Sequence, residues 1–312
     1  MLKKIKLFKD GKEVSSKDFN FAWIFFLLIL SQILFGSNQI MARFIQGEVP
    51  PIGLSFWRWV LATLIILPFT YKKLLSYAPT LYREWKIYLA AAFCLIVLGN
   101  TTIYIALNYT TAINGAIVSS VQPAFTFALS WFFYREFVSK SQIAGAIVAT
   151  LGVLYIISKG DINVLINLSP NPGDIWMIIS VVGFSLYAVL LKKIPDQVPA
   201  IITLNVIQFL GILLLAPLYI WETYYVQAIE FNQITVFSII WAAVFVAIGA
   251  LGLWNYTNKK LGANKASGTI HLRLIAITFM AVVLLDESLR IYHFIAFAII
   301  MMGVYAISKK QS

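Results

Sequence analysis

The 312-residue sequence is poor in the residues from which metal sites and hydrolytic active sites are built. It contains one cysteine, Cys94, and two histidines, so neither a disulfide framework nor a thiolate metal cluster can form within one chain. It shows no Ser/His/Asp arrangement and no phosphate-binding glycine loop. These absences predict a protein that is not an enzyme and that uses no metal or cofactor.

Charged residues are also scarce, since they make up 12% of the sequence against 60% for hydrophobic residues. A soluble domain has about 25% charged residues. The net charge of +11 is spread over the loops rather than gathered on one face, so no nucleic-acid partner is expected. Strands would leave backbone groups unsatisfied in lipid. The composition therefore predicts an all-α integral membrane protein.

The apolar runs are close to the roughly 20 residues that a helix needs to cross a bilayer. Residues 1–20 are too polar and too mixed in charge for a secretory signal, and they are interpreted as a cytoplasmic N-terminal tail. The windows between charged or turn-rich breaks predict ten transmembrane helices: Phe21–Ala42, Ile52–Tyr71, Ile87–Leu107, Ala112–Tyr134, Ser141–Ser158, Ile175–Leu191, Ile201–Trp221, Val236–Tyr256, Ala266–Leu285 and Tyr292–Ser308.

Lysine and arginine are distributed unevenly between the two sets of loops. With the N-terminus in the cytoplasm, 19 of them lie in inner segments and three, Arg43, Lys159 and Arg290, in outer ones. This bias follows the positive-inside rule and predicts that both termini are cytoplasmic. We expect a multi-pass protein of a bacterial cytoplasmic (inner) membrane.

The sequence matches itself at an offset near 150 residues. The match pairs Glu136 with Glu287 and Gly152 with Gly303. Five helices per half is an odd number, so the second half must enter the membrane from the opposite side, as in the inverted repeats of many secondary transporters. The predicted organisation is a first repeat over 21–158, an extracytoplasmic linker over 159–174 and a second repeat over 175–308.

Four segments, in order, resemble the EamA repeats of the drug/metabolite transporter superfamily, and the resemblance covers roughly residues 21 to 308. The segments are FGSNQIMARFIQGEVPPIGLSFWRWVLATLIILPF, NTTIYIALNYTTAINGAIVSSVQPAFTFALSWFFYRE, NPGDIWMIISVVGFSLYAVLLKK and HLRLIAITFMAVVLLDESLRIYHFIA. The resemblance implies a ten-helix inverted-repeat fold and export or exchange of a solute. It also implies a central cavity lined mainly by helices other than the fifth and tenth.

The chain departs from this family at one proline. Pro123 is present in the fourth helix, where the resemblance implies a hinge, but its counterpart in the ninth helix is Leu274. Any hinge that the pair provides is therefore asymmetric. The identity of the solute does not transfer, because the superfamily handles amino acids, amines, nucleotide sugars and phosphorylated metabolites.

Two residues of the ninth helix, Arg273 and His271, are the first candidates for binding a solute. Arg273 lies seven residues into that span, and an arginine inside a membrane usually faces a cavity or a partner. Its planar guanidinium can hold a carboxylate or phosphate with two hydrogen bonds. The alternative is that it pairs with backbone carbonyls or a loop acid and only locks the helix. His271 could couple transport to protons, or it could be a hydrogen-bonded structural residue.

Arg58 is the other arginine inside a predicted span, about a turn and a half from its start. It could bind the solute, snorkel towards the surface or pair with Glu48. Its neighbours Trp57 and Trp59 could be cavity walls or interface anchors. The 13 acidic residues all fall in tails, loops or span ends, so the spans offer no deep carboxylate for proton coupling.

Neutral polar residues inside the spans complete the candidate lining of a cavity. Each of them could instead only bond to a neighbouring helix. Their spread over six helices favours one shared cavity, and they are Asn38, Asn100, Tyr104, Gln122, Tyr187, Asn205, Gln208 and Trp254.

The sequence therefore predicts a secondary transporter that moves a small metabolite, such as an amino acid or organic anion, by alternating access. Two alternatives stay open, a non-transporting membrane receptor or assembly factor and a membrane enzyme that modifies a lipid. The expected partners are membrane lipids and a small anionic or zwitterionic solute. Gly145 and Ala149 in the fifth helix predict close packing within the repeat, or alternatively a homodimer contact.

Overall fold

The computed structural model describes residues 8–9, 12–13, 16–110, 112–119, 121–135, 139–158, 160–161, 163, 172–262, 266, 269, 271–285 and 291–308. Two-residue strands, Phe8–Lys9 and Lys12–Glu13, form an antiparallel ribbon near the N-terminus. The helices are α1 (Ser16–Phe44), α2 (Pro51–Arg83), α3 (Trp85–Tyr109), α4 (Ala112–Ser119), α5 (Gln122–Tyr134), α6 (Lys140–Ile157), α7 (Pro172–Leu190), α8 (Ala200–Tyr225), α9 (Gln233–Leu261), α10 (His271–Leu285) and α11 (Ile291–Ser308).

Six helices of the described part are long and apolar enough to cross a membrane. They lie in the ranges of the predicted spans one, two, three, six, seven and eight. The helices in the other four ranges, α4 with α5, α6, α10 and α11, are not among these six, so the count of ten spans stays a prediction. Apart from the two short strands, the described elements are helices, and this helical, multi-pass architecture agrees with the sequence.

The fourth predicted span is two helices rather than one. α4 ends at Ser119 and α5 begins at Gln122, so the break falls directly before Pro123, which occupies the first turn of α5. Proline is favoured in a first turn because it has no backbone N–H to contribute to an intrahelical bond. Pro123 therefore marks a joint between two helices.

Corresponding helices of the two halves share an unusual backbone geometry. The middle of α3 is π-helical over Phe93–Thr101, and the middle of α9 is π-helical over Ala242–Ala250, 149 residues later. The prolines inside α2 and α8, Pro68 and Pro217, are also 149 residues apart. π-Helical segments are rare and are frequently found at functional sites. The recurrence at one spacing supports the duplication.

The two halves pack against each other through close helix contacts. α6 lies against α11, where a Cβ at Gly303 would be 2.5 Å from the backbone nitrogen of Ala149 and 2.6 Å from the carbonyl oxygen of Gly145. A Cβ at Gly152 would likewise be 3.0 Å from the backbone nitrogen of Ile300. The small residues Gly145 and Ala149 thus pack between the repeats, whereas the sequence predicted packing within one repeat.

Other helices of the two halves interleave around a common core. α7 packs on α3, where the Ser180 hydroxyl donates to the carbonyl oxygen of Gly99 at 2.6 Å. α1 packs on α9 and α10, and α2 packs on α8. Buried side chains from six helices form one cluster that includes Leu28, Trp59, Leu95, Tyr187, Leu204 and Val246. Residues far apart in sequence are in this way brought into the same interior.

Candidate functional site

Arg58 is fully buried and is held by the middle of α3. Its Nη2 donates to Asn100 Oδ1 at 2.6 Å, and its Nη1 donates to the hydroxyl of Tyr104. The Tyr104 hydroxyl in turn donates to Asn38 Oδ1 on α1 at 2.9 Å. The guanidinium carbon lies 4.4 Å from the centroid of the Trp59 ring. These five residues are called the Arg58 cluster below.

The π-helical segment of α3 contributes directly to this cluster. Asn100 lies within that segment, and its Nδ2 donates to the carbonyl oxygen of Leu95, five positions earlier, at 2.8 Å. This bond fixes the amide so that Oδ1 faces Arg58. The wide π turn therefore presents an acceptor to the guanidinium.

Neither snorkelling nor a pair with Glu48 describes Arg58, because its side chain has no exposed surface and its bonds go to α3. Among the described residues, no carboxylate lies within 4.0 Å of its nitrogens. Its Nε and the indole Nε1 of Trp59 are buried without a partner in the described part of the chain. Both groups are donors only, so the cluster has more donors than acceptors.

Arg273 lies in the first turn of α10 and reaches α1. Its Nε and Nη2 donate to Gln32 Oε1 at 3.3 and 3.2 Å, and its guanidinium carbon is 4.9 Å from the centroid of the Phe35 ring. Neither expected structural partner, a backbone carbonyl or a loop acid, bonds to it within the described residues. The side chain is only partly buried. A neutral amide is therefore its partner, and part of its surface is open.

His271, two residues before Arg273, is 1% exposed. Neither ring nitrogen has a hydrogen-bond partner among the described residues. A hydrogen-bonded structural role, one of the two expectations for this residue, is thus not seen in that part of the structure.

One helix links the two arginines. Gln32, Phe35 and Asn38 follow one another at three-residue spacing on α1. The first two contact Arg273, and the third accepts the bond from Tyr104 in the Arg58 cluster. Six helical residues span about 9 Å. The two residues that contact Arg273 therefore lie earlier along α1 than Asn38, which belongs to the Arg58 cluster.

Two candidate residues of the second half, Tyr187 and Gln208, bond to partners within that half. The Tyr187 hydroxyl donates to Asn255 Oδ1 at 2.5 Å, joining α7 to α9. Asn38 lies 149 residues before Tyr187, so this bond corresponds to the one that joins α1 to α3. Gln208 Nε2 donates to the carbonyl oxygen of Ala247 at 3.2 Å in the π-helical segment of α9. The Nδ2 of Asn205 is buried without a described partner.

Three other predicted residues are not joined to either arginine by a described hydrogen bond. Trp57 donates through Nε1 to the Tyr219 hydroxyl at 3.1 Å. Gln122 is buried, and its carbonyl oxygen accepts from the hydroxyl of Ser185 at 3.3 Å. Trp254 is buried in the common core. Within the described part, Trp57 and Gln122 therefore bond to residues other than the two arginines, and Trp254 makes packing contacts.

Sequence reasoning missed several side chains that contact predicted residues, among them Gln32, Phe35, Asn255 and Tyr219. Gln32 is an amide in an apolar run, which is the signal that identified Asn38. The described residues contain no group of three or more His, Cys, Asp or Glu that could hold a metal ion.

The profile of the EamA-like transporter family matches residues 22–158 and 171–309. The uncharacterized transporter YyaM of Bacillus subtilis is 24% identical over 293 residues, which cover 91% of this chain and 93% of that protein. An uncharacterized transporter of Archaeoglobus fulgidus is 24% identical over 286 residues, 91% of this chain and 97% of its own. A WAT1-related protein of Arabidopsis thaliana is 32% identical over 171 residues, 49% of this chain and 43% of its own.

The fold also occurs in a solved crystal structure. That structure superposes with a TM-score of 0.73 at 15% sequence identity, and the alignment covers 92% of this chain and 96% of that one. At this identity the likeness concerns the fold alone.

Proposed function

Since the chain belongs to the EamA-like transporter family, a branch of the drug/metabolite transporter superfamily, we propose that it is a secondary carrier of small anionic or zwitterionic metabolites. The family and the apolar helices make it an integral, multi-pass membrane transporter of a small solute. The proposed solute is an amino acid, an organic anion or a related metabolite. It moves by alternating access between the two halves, in export or exchange.

The observation that carries this proposal is the charge of the interior. Arg58 and Arg273 both lie in apolar helices, and their described side-chain partners are the neutral groups of Asn100, Tyr104 and Gln32. An arginine at the centre of a membrane helix costs about 2.5–3.5 kcal/mol on insertion scales. A carboxylate or phosphate of a bound solute would offset that cost with charge-assisted hydrogen bonds. A positively charged amine would instead be repelled by the two arginines.

The proposed topology has ten spans in two inverted repeats, with both termini in the cytoplasm of a bacterial cell. The repeats span 21–158 and 175–308, with the tail at 1–20 and the linker at 159–174. The 149-residue recurrence of the π-helical segments and the positive-inside bias support it. α6 and α11 pack against each other, so each helix covers part of the surface of the other. This contact supports a cavity that is lined by the remaining helices.

The proposed hinge is the joint before Pro123. At the corresponding position of the second half, Leu274 lies in the first turn of α10, after the turn residue Thr269. Pro123 has no backbone N–H and a fixed φ, whereas Leu274 has neither restriction, so the proposed hinge is asymmetric between the two halves.

Small anions should stabilise the purified protein against heat, and amines of the same carbon skeleton should not. A ligand at 100 times its Kd adds about 2.7 kcal/mol to the stability of the folded state. This corresponds to a rise in Tm of about 5 °C for a chain of this size class. The measurement is a thermal-unfolding screen in detergent with carboxylates, phosphates, amino acids, nucleotides and amines. A screen in which amines stabilise the protein and anions do not would contradict the proposed substrate class.

A further inference from the structure

A buried carboxylate joins the end of α8 to the start of α2. Glu222 is 3% exposed, and its two oxygens accept the backbone N–H groups of Ile52 at 3.0 Å and Gly53 at 2.6 Å. The first N–H groups of a helix have no partner within that helix. A negative charge there also complements the helix dipole. A residue of the second half thus caps a helix of the first.

Aromatic contacts close the same end of these two helices. Phe56 stacks on Tyr219 with ring centroids 4.5 Å apart. Trp57 donates to the Tyr219 hydroxyl, and its ring meets Phe231 edge-on at 5.3 Å. Directly after these aromatics in α2 comes Arg58. Gly53 precedes Arg58 by five residues, about 7.5 Å along the helix, so the cap and the aromatics join α2 to α8 close to the Arg58 cluster.

The duplicated half does not repeat the cap. The residue 149 positions before Glu222 is Lys73, which is exposed. Its ammonium group is a donor only, so it cannot accept the N–H groups at the start of α8. At that start, the N–H of Ile202 bonds to the carbonyl oxygen of Pro199 at 3.0 Å. The carboxylate cap therefore exists at only one of the two corresponding positions.

We propose that Glu222 is the latch of the outer gate. In the proposed topology, with the N-terminus in the cytoplasm, α2 starts and α8 ends at the outer face. Release of the two bonds from Glu222 separates the start of α2 from α8 and opens the Arg58 cluster to the outside. Glu222 is a positioning residue that acts through α2. This inference rests on the proposed carrier function.

The test measures access to a buried position next to the latch from each side of the membrane. Ser55 has no exposed surface, lies two residues after Gly53, and can carry a cysteine in a Cys94→Ala background. The probe is a membrane-impermeant methanethiosulfonate, applied to right-side-out and to inverted vesicles. Glu222→Gln keeps the side-chain shape but removes the charge. Because two charge-assisted bonds weaken, labelling from outside should become about tenfold faster.

Glu230→Gln is the matched control, because Glu230 is exposed in the segment that follows α8. It makes the same change of charge and should leave the rate unchanged. Faster labelling from outside only supports the latch. An unchanged rate, or faster labelling from both sides or from inside only, overturns it, since general loosening would expose Ser55→Cys to both faces. The labelling needs no solute, so a failed ligand screen would refute the carrier proposal without affecting this result.

Discussion

Arg273→Gln is expected to abolish solute exchange while the protein folds and inserts normally. Loss of one side of a buried charge pair costs about 2–5 kcal/mol, which corresponds to at least a 30-fold fall in exchange. The fold should tolerate the change because the described partner of Arg273 is the neutral amide of Gln32. Its removal leaves no carboxylate unpaired there. Glutamine can still donate a hydrogen bond to that amide, and Arg273→Ala should lose exchange as well.

The matched control for this variant is Arg43→Gln. Arg43 donates to the carbonyl oxygens of Leu107 at 3.1 Å and Thr110 at 3.3 Å, at the ends of α1 and α3. Its role is to join helices, so its replacement should lower the Tm but leave the rate of exchange close to that of the wild type. Both variants are compared by counterflow in liposomes and by thermal unfolding. Wild-type exchange by Arg273→Gln would rule out the anion-binding role.

Gly303→Ala is expected to lower the stability of the protein by more than a typical surface substitution. The added Cβ would lie 2.5 Å from the backbone nitrogen of Ala149 and 2.6 Å from the carbonyl oxygen of Gly145. Backbone atoms cannot move aside as a flexible side chain can, so α6 and α11 must separate. Overpacking of this kind costs about 1–3 kcal/mol. The corresponding fall in Tm is about 2–6 °C by thermal unfolding in detergent.

Gly252→Ala is the control for this substitution. It makes the same chemical change inside α9, where the nearest atom to the new Cβ would be Leu204 Cδ2 at 3.9 Å. With space available, alanine should raise the Tm slightly, because it favours a helix over glycine by about 1 kcal/mol. Equal Tm values for Gly303→Ala and Gly252→Ala would show that the α6–α11 contact is not as close as described.

Much of the helical architecture could be predicted because hydropathy is a local property of the sequence. Six predicted spans coincide with long apolar helices, although α2 continues to Arg83, twelve residues past the predicted end at Tyr71. The π-helical segments could not be predicted. Phe93–Thr101 has the same apolar composition as an ordinary membrane helix, and its geometry depends on what packs around it. The sequence shows the proline at position 123, but it does not predict that the span divides into two helices there.

The site could be predicted in its charged members and in three polar residues of the spans, Asn38, Asn100 and Tyr104. Arg58 and Arg273 stand out because arginine is rare in apolar runs. Which residues bond to each other could not be predicted. Gln32 and Arg273, for example, are 241 residues apart and meet only because α1 packs on α10. The sequence places Glu222 at the end of a predicted span, and the structure agrees. Its burial against α2 could not be predicted, because Glu222 and Ile52 are 170 positions apart. These contacts form only when the two halves of the chain pack against each other.

The central claim, that the chain carries anions by alternating access, is tested most directly by counterflow with the wild-type protein. Liposomes are preloaded with an unlabelled anion that stabilises the protein, and a trace of the labelled anion is added outside. A carrier that exchanges one solute for another should accumulate label transiently above its equilibrium level, and only in preloaded liposomes. Uptake that never exceeds equilibrium whatever the preload, or a modified lipid without protein-dependent flux, would contradict the account.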